Sequence, residues 1–263
     1  MLVKINYIIN NFLLGIYDHS KCIDFLKNNE KLLFITNFFY LTTCFIGPKI
    51  MKNISPFNLK KSLFIWNSFL SIFSLFGSYN MIYFQYNLLN YFSYRDTICN
   101  YPDYFYQSNS LSLWSFLFTI SKIFELNDTL FLILRKRKII FLHWYHHSSV
   151  LLVTWNSFIF YSYSFNYFMS MNFSIHTLMY AYYALKSINI CPSWFPSYIL
   201  TYLQILQMIM GGSICLSNWY YYIFTQNCHS HLYNLILLSF IYFTYLLLFV
   251  DFFNKRYKKL KNE

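Results

Sequence analysis

Charged residues are scarce in this sequence, at 11% of its 263 residues, whereas a soluble domain contains about 25%. Hydrophobic residues make up 57% of the chain, and the mean hydropathy is +0.35. The N-terminus also lacks the small-x-small cleavage site of a secretory signal peptide, so we expect the mature chain to keep it. The composition therefore excludes an ordinary soluble enzyme and favours a polytopic membrane protein.

Seven apolar segments approach the ~20 residues that a helix needs to cross hydrocarbon. They cover residues 32–47, 62–83, 112–134, 139–160, 163–185, 197–218 and 232–252. A tight turn near Tyr161 and Ser162 is expected to join the fourth segment to the fifth. No internal repeat is visible, and no soluble domain fits between the segments. We predict an all-α integral membrane protein with about seven transmembrane helices, forming a single polytopic domain over residues 1–263.

Basic residues predict the orientation of these segments. Fourteen of the 20 Lys and Arg residues lie on one side of the predicted membrane, in loop 48–61, in the run 135–138, at Lys186 and in the tail 253–263. The positive-inside rule makes this side cytosolic and the N-terminal segment 1–31 lumenal. Because the basic residues lie beside apolar spans, the net charge of +11 does not indicate nucleic-acid binding.

The six cysteines include no CxxC pair, which argues against a zinc site or a redox motif. Cys99 and Cys228 both fall in predicted lumenal loops, on the oxidising side of the membrane. We predict a disulfide between them, and two free thiols are the alternative.

The C-terminal tail places Lys261 and Lys259 at the third and fifth positions from the end. This spacing matches the dilysine retrieval signal of endoplasmic-reticulum membrane proteins. It predicts that location and a cytosolic C-terminus. A generic basic tail beside the membrane is the alternative.

Three histidines begin the segment FLHWYHHSSVLLVTWNSFIF, residues 141–160. The spacing of His143, His146 and His147 puts them on one face of a helix. Ionisable groups are costly inside a membrane, so such a cluster indicates a functional site. A single buried histidine is more often structural, but three together favour chemistry.

Polar residues recur in three other segments. The third carries Lys122, Glu125, Asp128 and Thr129, the fifth Asn172, His176, Tyr180 and Tyr183, and the sixth Gln204 and Gln207. A helix rises about 1.5 Å per residue, which places Asp128, His146 and His176 about 10–15 Å from the predicted cytosolic ends. We therefore predict a buried polar chamber, open to the cytosol, above a long apolar cavity. The alternatives are a Lys122–Glu125 pair that only stabilises packing, and interhelical hydrogen bonds for the Gln and Tyr residues.

Together these residues resemble the ELO family of fatty-acid elongases. The matching blocks are KIFELNDT (122–129), FLHWYHH (141–147), MNFSIHTLMYAYY (171–183) and TYLQILQ (201–207), with WNSFLSIFS (66–74) as a weaker match. The order and spacing of the blocks are kept from about residue 60 onwards. The resemblance implies a 3-oxoacyl-CoA synthase of the endoplasmic reticulum, with helices 2–7 around an apolar acyl tunnel. Such an enzyme condenses malonyl-CoA with a long-chain acyl-CoA, releasing CoA and carbon dioxide.

The resemblance also implies the substrates and partners. Lys138 and Trp144 stand where members acting on polyunsaturated chains often carry Gln and an aliphatic residue, so saturated or monounsaturated chains of roughly C12–C18 are expected. The CoA thioesters are substrates, and neither a metal nor another cofactor is expected. The expected partners are the ketoacyl-CoA reductase, the hydroxyacyl-CoA dehydratase, the enoyl-CoA reductase and membrane lipid. The sequence leaves a homodimer open.

We assign roles on the basis of these similarities and of imidazole chemistry. His146 is the predicted nucleophile, which His143, His147 and His176 orient or assist. Asp128 is expected to fix a histidine tautomer, and Asn172 to donate to an oxyanion. The predicted substrate contacts are Lys122, Glu125, Thr129, Tyr180, Tyr183, Gln204 and Gln207. Arg135, Lys136, Arg137 and Lys138 are expected to attract CoA phosphates, or only to signal topology.

Two other functions also fit a histidine-rich membrane protein. A di-iron desaturase or hydroxylase would need about eight histidines near one face. The chain has seven, and His19, His229 and His231 fall in predicted lumenal segments. A seven-helix receptor or transporter would give no reason for a histidine triplet beside KxxExxDT.

Overall fold

A computed structural model of the protein describes residues 2–100, 110–191, 195–225 and 228–258. Within these ranges the chain is helical and forms no strand. The α-helices are α1 (Leu2–Ile16), α2 (His19–Asn28), α3 (Glu30–Ile50), α4 (Lys60–Tyr91), α5 (Tyr94–Cys99), α6 (Ser110–Glu125), α7 (Asn127–Leu134), α8 (Phe141–Ile159), α9 (Phe165–Ser187), α10 (Ser197–Phe224) and α11 (Leu232–Phe253). A 3₁₀ turn (Met51–Asn53) follows α3, and a π-helical turn (Asn254–Lys258) follows α11. The all-α prediction is confirmed for the described residues.

Among the described residues, three helices are long and apolar enough to cross a membrane. They span Glu30–Asn53, Ser197–Phe224 and Leu232–Tyr257, and correspond to the first, sixth and seventh predicted segments. The other four predicted segments also coincide with helices. α8 and α9 carry histidines and amides that lower their hydropathy, and the third segment is divided into two helices that are each shorter than a span. Seven membrane crossings therefore remain a prediction.

The third predicted segment breaks at Leu126. The Leu126 N–H donates to the Ile123 carbonyl at 3.3 Å, and the Thr129 N–H donates to the Leu126 carbonyl at 3.2 Å. Both bonds span three residues and tighten the helix locally. The polar residues on either side of the break have different partners: Lys122 contacts Asn172, whereas Asp128 contacts Trp66 and Tyr180.

Loop contacts define the two ends of the bundle. At the basic end, formed by loops 51–59 and 135–140, the Phe57 N–H donates to the Leu134 carbonyl at 3.0 Å. At the disulfide end, Cys99 and Cys228 form the predicted bridge between α5 and the segment before α11. The predicted tight turn between α8 and α9 is also present, with Tyr161 at a positive φ of 48°.

Close helix packing fills the centre of the bundle. Gly77 on α4 faces the Phe173 ring on α9, and Ser78 and Ser174 hydrogen-bond across the same interface at 2.7 Å. Small residues let two helices approach closely in this way. Between α10 and α11, the Tyr242 ring lies directly over Gly211. Two aromatic-rich clusters occupy the core between the polar residues and the disulfide end.

The neighbouring glycines of α10 give a matched test of this packing. An added Cβ at Gly211 would clash with the Tyr242 ring, whereas one at Gly212 has no described atom within 4 Å. We expect Gly211→Ala to destabilise the fold by about 1–3 kcal/mol through overpacking. Gly212→Ala should instead stabilise the helix by about 0.5–1 kcal/mol. Thermal unfolding in detergent measures both, and equal shifts in the two variants would contradict the close approach.

Candidate active site

A buried ion pair on α6 lies at the centre of the polar cluster. The Lys122 side chain is 2% exposed and that of Glu125 is 5% exposed. Lys122 Nζ donates to Glu125 Oε1 at 2.8 Å and to Asn172 Oδ1 at 3.0 Å. The ammonium also lies 4.2 Å from the centroid of the Phe118 ring, within cation–π range. The lysine is thus held by partners from its own helix and from α9.

Asn172 connects this ion pair to a histidine. Its amide nitrogen is 3.2 Å from His176 Nε2, and His176 Nδ1 is 3.8 Å from Glu125 Oε2. Lys122, Glu125, Asn172 and His176 therefore form a ring of side chains from α6 and α9. Asn172 links the lysine to the histidine, and its donation to an oxyanion stays a prediction. Among the described residues, Glu125 Oε2 is buried and accepts no hydrogen bond.

Asp128 lies beyond the helix break and has different partners. Trp66 Nε1 on α4 donates to Asp128 Oδ1 at 2.7 Å, and the Tyr180 hydroxyl on α9 donates to Oδ2 at 2.8 Å. No hydrogen bond among the described residues joins Asp128 to a histidine, and its role in fixing a histidine tautomer stays a prediction. Its partner Tyr180 lies beside His176, with ring centroids 5.3 Å apart. Trp66 was missed as a site residue, although it begins the weakly matching block 66–74.

His143 faces the start of α7. Its Nε2 is 2.9 Å from Thr129 Oγ1, which lies 3.1 Å from the Tyr40 hydroxyl on α3. The His143 and His147 rings are 4.6 Å apart, as expected for residues one helical turn apart. His147 is 8% exposed, and its Nδ1 is buried without a hydrogen bond to any described residue. Sequence reasoning missed Tyr40, which no local motif marks.

His146 points towards α11. Its ring lies 4.9 Å from the Tyr245 ring and 6.3 Å from the Phe249 ring. Tyr245 fixes the backbone here by donating its hydroxyl hydrogen to the His146 carbonyl at 3.2 Å. His146 is partly exposed, whereas His147 and His176 are buried. No hydrogen bond among the described residues engages a ring nitrogen of His146.

Some predicted substrate contacts lie away from this cluster. Tyr183 is 45% exposed and packs on Tyr182, with ring centroids 5.7 Å apart. Gln204 Nε2 lies 3.5 Å from the Met179 sulfur, and Gln207 lines a separate apolar cavity. The basic run 135–138 is in the loop at the basic end. Arg135 is partly buried there, and Lys136, Arg137 and Lys138 are exposed. Lys259 and Lys261 lie outside the described residues.

The remaining three histidines lie at the disulfide end of the bundle. His19 contacts Ser112 and lies 3.1 Å from the Tyr161 hydroxyl. Burial lowers the pKa of His19 below its usual 6.5, and the nearby Asp18 opposes that effect. His229 and His231 are exposed. Four histidines of the seven therefore belong to the polar cluster.

Fold and site together define an all-helical membrane protein. Its polar cluster combines a partly exposed imidazole without a described hydrogen bond, a lysine paired with one carboxylate, and a second carboxylate with other hydrogen-bond partners. An uncommitted imidazole with fixed neighbours suits nucleophilic or general-base catalysis.

Comparison with known proteins identifies the family. The chain matches the ELO: GNS1/SUR4 family over residues 25–263 and belongs to that family. It is 35% identical over 243 residues to very long chain fatty acid elongase 6 of Homo sapiens, covering 92% of this chain and 90% of that protein. It is 36% identical over 250 residues to putative fatty acid elongase 3 of Caenorhabditis elegans, with coverages of 94% and 77%. With very long chain fatty acid elongase 3 of Homo sapiens, the identity is 36% over 233 residues, covering 84% and 81%. The resemblance inferred from the motifs is confirmed.

Proposed function

We propose that the protein is a fatty-acid elongase that acts as a 3-oxoacyl-CoA synthase. It condenses malonyl-CoA with a saturated or monounsaturated acyl-CoA, releasing CoA and carbon dioxide in the first step of microsomal elongation. The names of its relatives support the pathway. The observation that carries the mechanism is the partly exposed His146 imidazole, which has no hydrogen bond from a described residue and whose ring lies 5.4 Å from the His147 ring.

In the first step, a His146 ring nitrogen attacks the carbonyl carbon of the acyl thioester. A carbon–nitrogen bond forms, the carbon–sulfur bond breaks, and CoA leaves as a thiolate. The thiolate takes the proton from the other ring nitrogen, which gives CoA and a neutral acyl-imidazole. Acyl-imidazoles are reactive acyl donors, so this intermediate divides one difficult step into two easier ones.

In the second step, malonyl-CoA loses carbon dioxide and its carbon–carbon bond electrons form an enolate. The enolate carbon attacks the acyl-imidazole, and His146 leaves and regains a proton, so the net reaction consumes one proton. His147 Nδ1 and Glu125 Oε2 are buried and have no hydrogen-bond partner in the described chain. Buried polar atoms rarely stay unpaired, so we assign these atoms to contacts with bound substrate. The reaction written in this way uses no metal and no cofactor beyond the CoA thioesters.

We also propose that the bundle crosses the endoplasmic-reticulum membrane seven times, with its basic end cytosolic and its disulfide end lumenal. Lys136, Arg137 and Lys138 are exposed at the basic end, where they would attract CoA phosphates. The product would pass to the ketoacyl-CoA reductase, the hydroxyacyl-CoA dehydratase and the enoyl-CoA reductase.

An elongation assay on the purified protein tests the function. Radiolabelled malonyl-CoA would be supplied with acyl-CoAs of about ten to twenty carbons. We expect labelled 3-oxoacyl products two carbons longer than each accepted substrate, with one CoA and one carbon dioxide released per product. Oxygen-dependent conversion of the acyl chain without incorporation of malonyl carbon would identify a desaturase and contradict the proposal.

A further inference from the structure

Helix α3 contributes a polar side chain to the histidine cluster. Tyr40, near the middle of α3, is 5% exposed, and its hydroxyl oxygen lies 3.1 Å from Thr129 Oγ1 on α7. Thr129 is fully buried, and the same Oγ1 lies 2.9 Å from His143 Nε2 on α8. Side chains from three helices therefore form one continuous hydrogen-bonded chain that ends at a histidine of the candidate active site.

The packing of α3 holds Tyr40 in this position. The Phe45 ring on α3 lies edge-on to the Trp144 ring on α8, with ring centroids 5.5 Å apart. Gly47 lies directly against Ile133 on α7, since a Cβ added to this glycine would be 2.9 Å from the Ile133 side chain. Both contacts are within about two helical turns of Tyr40. They fix α3 against the two helices that carry the partners of the tyrosine.

The order of donors in this chain determines which ring nitrogen of His143 carries the hydrogen. The Thr129 hydroxyl has one hydrogen and two partners, so it donates to one and accepts from the other. A phenol is a stronger donor than an aliphatic hydroxyl, and an unprotonated imidazole nitrogen is a stronger acceptor than a phenol oxygen. The favoured order therefore runs from Tyr40 through Thr129 to His143 Nε2, which leaves the imidazole hydrogen on Nδ1.

The reverse order satisfies these groups less well. His143 Nε2–H would donate to Thr129, and Thr129 would donate to the Tyr40 oxygen. Among the described residues, the phenolic hydrogen would then be left with the Cys44 thiol, one turn further along α3, and sulfur is a weak acceptor. A buried donor without a good acceptor is costly, so this order is disfavoured.

We propose that Tyr40 is a positioning residue that acts through Thr129 and holds His143 in the tautomer with its hydrogen on Nδ1. The hydrogen bond from Nε2 to Thr129 is the one side-chain bond that His143 makes to a described residue, so Nδ1–H is available to substrate. The inference rests on the proposed function and adds a role for this hydrogen. It donates to the enolate oxygen that forms when malonyl-CoA loses carbon dioxide, whereas the other tautomer would present a lone pair to that oxygen.

Replacing Tyr40 with phenylalanine removes the donor and keeps the ring. We expect kcat for condensation to fall about tenfold, as the loss of one hydrogen bond predicts, with KM for malonyl-CoA within about twofold of the wild-type value. His143 assists the second step, so the acyl adduct should form from acyl-CoA alone at the wild-type rate, followed by intact mass. A variant that slowed both steps equally, or neither step, would overturn the inference.

Tyr167→Phe is the matched control. Tyr167 on α9 forms the same kind of bond, with its hydroxyl oxygen 2.7 Å from Thr97 Oγ1 on α5 at the disulfide end. We expect this variant to condense malonyl-CoA at a rate within about twofold of the wild type. If it slowed condensation as much as Tyr40→Phe does, at matched thermal stability, loss of any buried tyrosine hydroxyl would account for the effect and the inference would be overturned.

A double-mutant cycle tests the route through Thr129. Thr129→Val removes the hydroxyl and keeps the shape of the side chain. Because Tyr40 is proposed to act only through this hydroxyl, adding Tyr40→Phe to Thr129→Val should lower kcat by less than about twofold more. If the effects of the two substitutions multiplied instead, Tyr40 would act by another route and the inference would be wrong.

Nitrogen-15 NMR measures the tautomer without reference to activity. Full-length protein with labelled histidine would be placed in lipid nanodiscs, and the His143 signals assigned by their loss in His143→Ala. We expect the hydrogen on Nδ1 in the wild type and a mixture of tautomers in Tyr40→Phe. A wild-type hydrogen on Nε2, or the same tautomer in both proteins, would overturn the inference.

The two kinds of measurement separate this inference from the proposed function. A tautomer that depends on Tyr40, in a protein that does not incorporate malonyl carbon, would support the positioning role and contradict the condensing activity. Condensation that is unchanged in Tyr40→Phe would support the activity and overturn the positioning role.

Discussion

Replacing His146 with alanine is expected to lower kcat/KM for condensation by at least about a thousandfold, as loss of a covalent nucleophile does in other acyl-transfer enzymes. The other three histidines cannot substitute for it. His143 is held by Thr129 and His176 by Asn172, and His147 is buried. Incorporation of malonyl carbon measures the loss. Intact mass after incubation with acyl-CoA alone should show an acyl adduct on the wild type and none on the variant.

Two further variants keep this prediction specific. His146→Gln retains a polar side chain of similar size, so its activity should also be lost while the fold persists. His229→Ala removes an exposed histidine at the disulfide end and should retain full activity. If the wild type forms no adduct and releases no CoA before malonyl-CoA is added, the covalent route is wrong.

Replacing Lys122 with methionine should destabilise the fold by about 3–5 kcal/mol, because it leaves the Glu125 carboxylate buried without its cation. Both side chains are at most 5% exposed, and their charged atoms are 2.8 Å apart. Asn172 would also lose the ammonium that donates to its oxygen. Chemical denaturation in detergent measures the change in unfolding free energy. The double variant Lys122→Met/Glu125→Leu should recover part of it, since it removes both charges.

The exposed ion pair between Lys255 and Asp251 serves as the control for the effect of burial on an ion pair. Its charged atoms are 2.7 Å apart, but the side chains are 70% and 53% exposed. Lys255→Met should therefore cost about 0–1 kcal/mol, as solvent-exposed pairs do. If Lys122→Met lowered the free energy of unfolding by as little as Lys255→Met does, the buried lysine would contribute little to the stability of this cluster.

Features set by local spacing were predictable from the sequence. The histidines at 143, 146 and 147 follow from helical periodicity, and the turn at Tyr161 from the end of one apolar run and the start of another. The pairing of Cys99 with Cys228 follows from two cysteines in loops predicted to lie on the same side of the membrane. Each of these inferences needs only neighbouring residues or the topology of the chain.

Contacts that depend on helix rotation were not predictable. Counting residues gives the height of a side chain in the bundle, but the direction in which it points depends on how each helix packs. Gln207 and Tyr183 were both predicted to contact the substrate, yet one lines a separate cavity and the other is exposed on the outer surface. The break at Leu126 has no proline or glycine to mark it. Its effect on the partners of Asp128 therefore emerged only from the folded chain.

The break at Leu126 also gives two carboxylates that are close in sequence separate hydrogen-bond partners. Glu125 accepts a hydrogen bond from Lys122, and Asp128 accepts one from Trp66. In an unbroken helix, two carboxylates three residues apart would face the same neighbours and repel each other. Because the helix tightens at Leu126, each carboxylate has its own hydrogen-bond partners. A substitution at Glu125 therefore leaves in place the hydrogen bonds by which Asp128 joins α7 to α4 and α9.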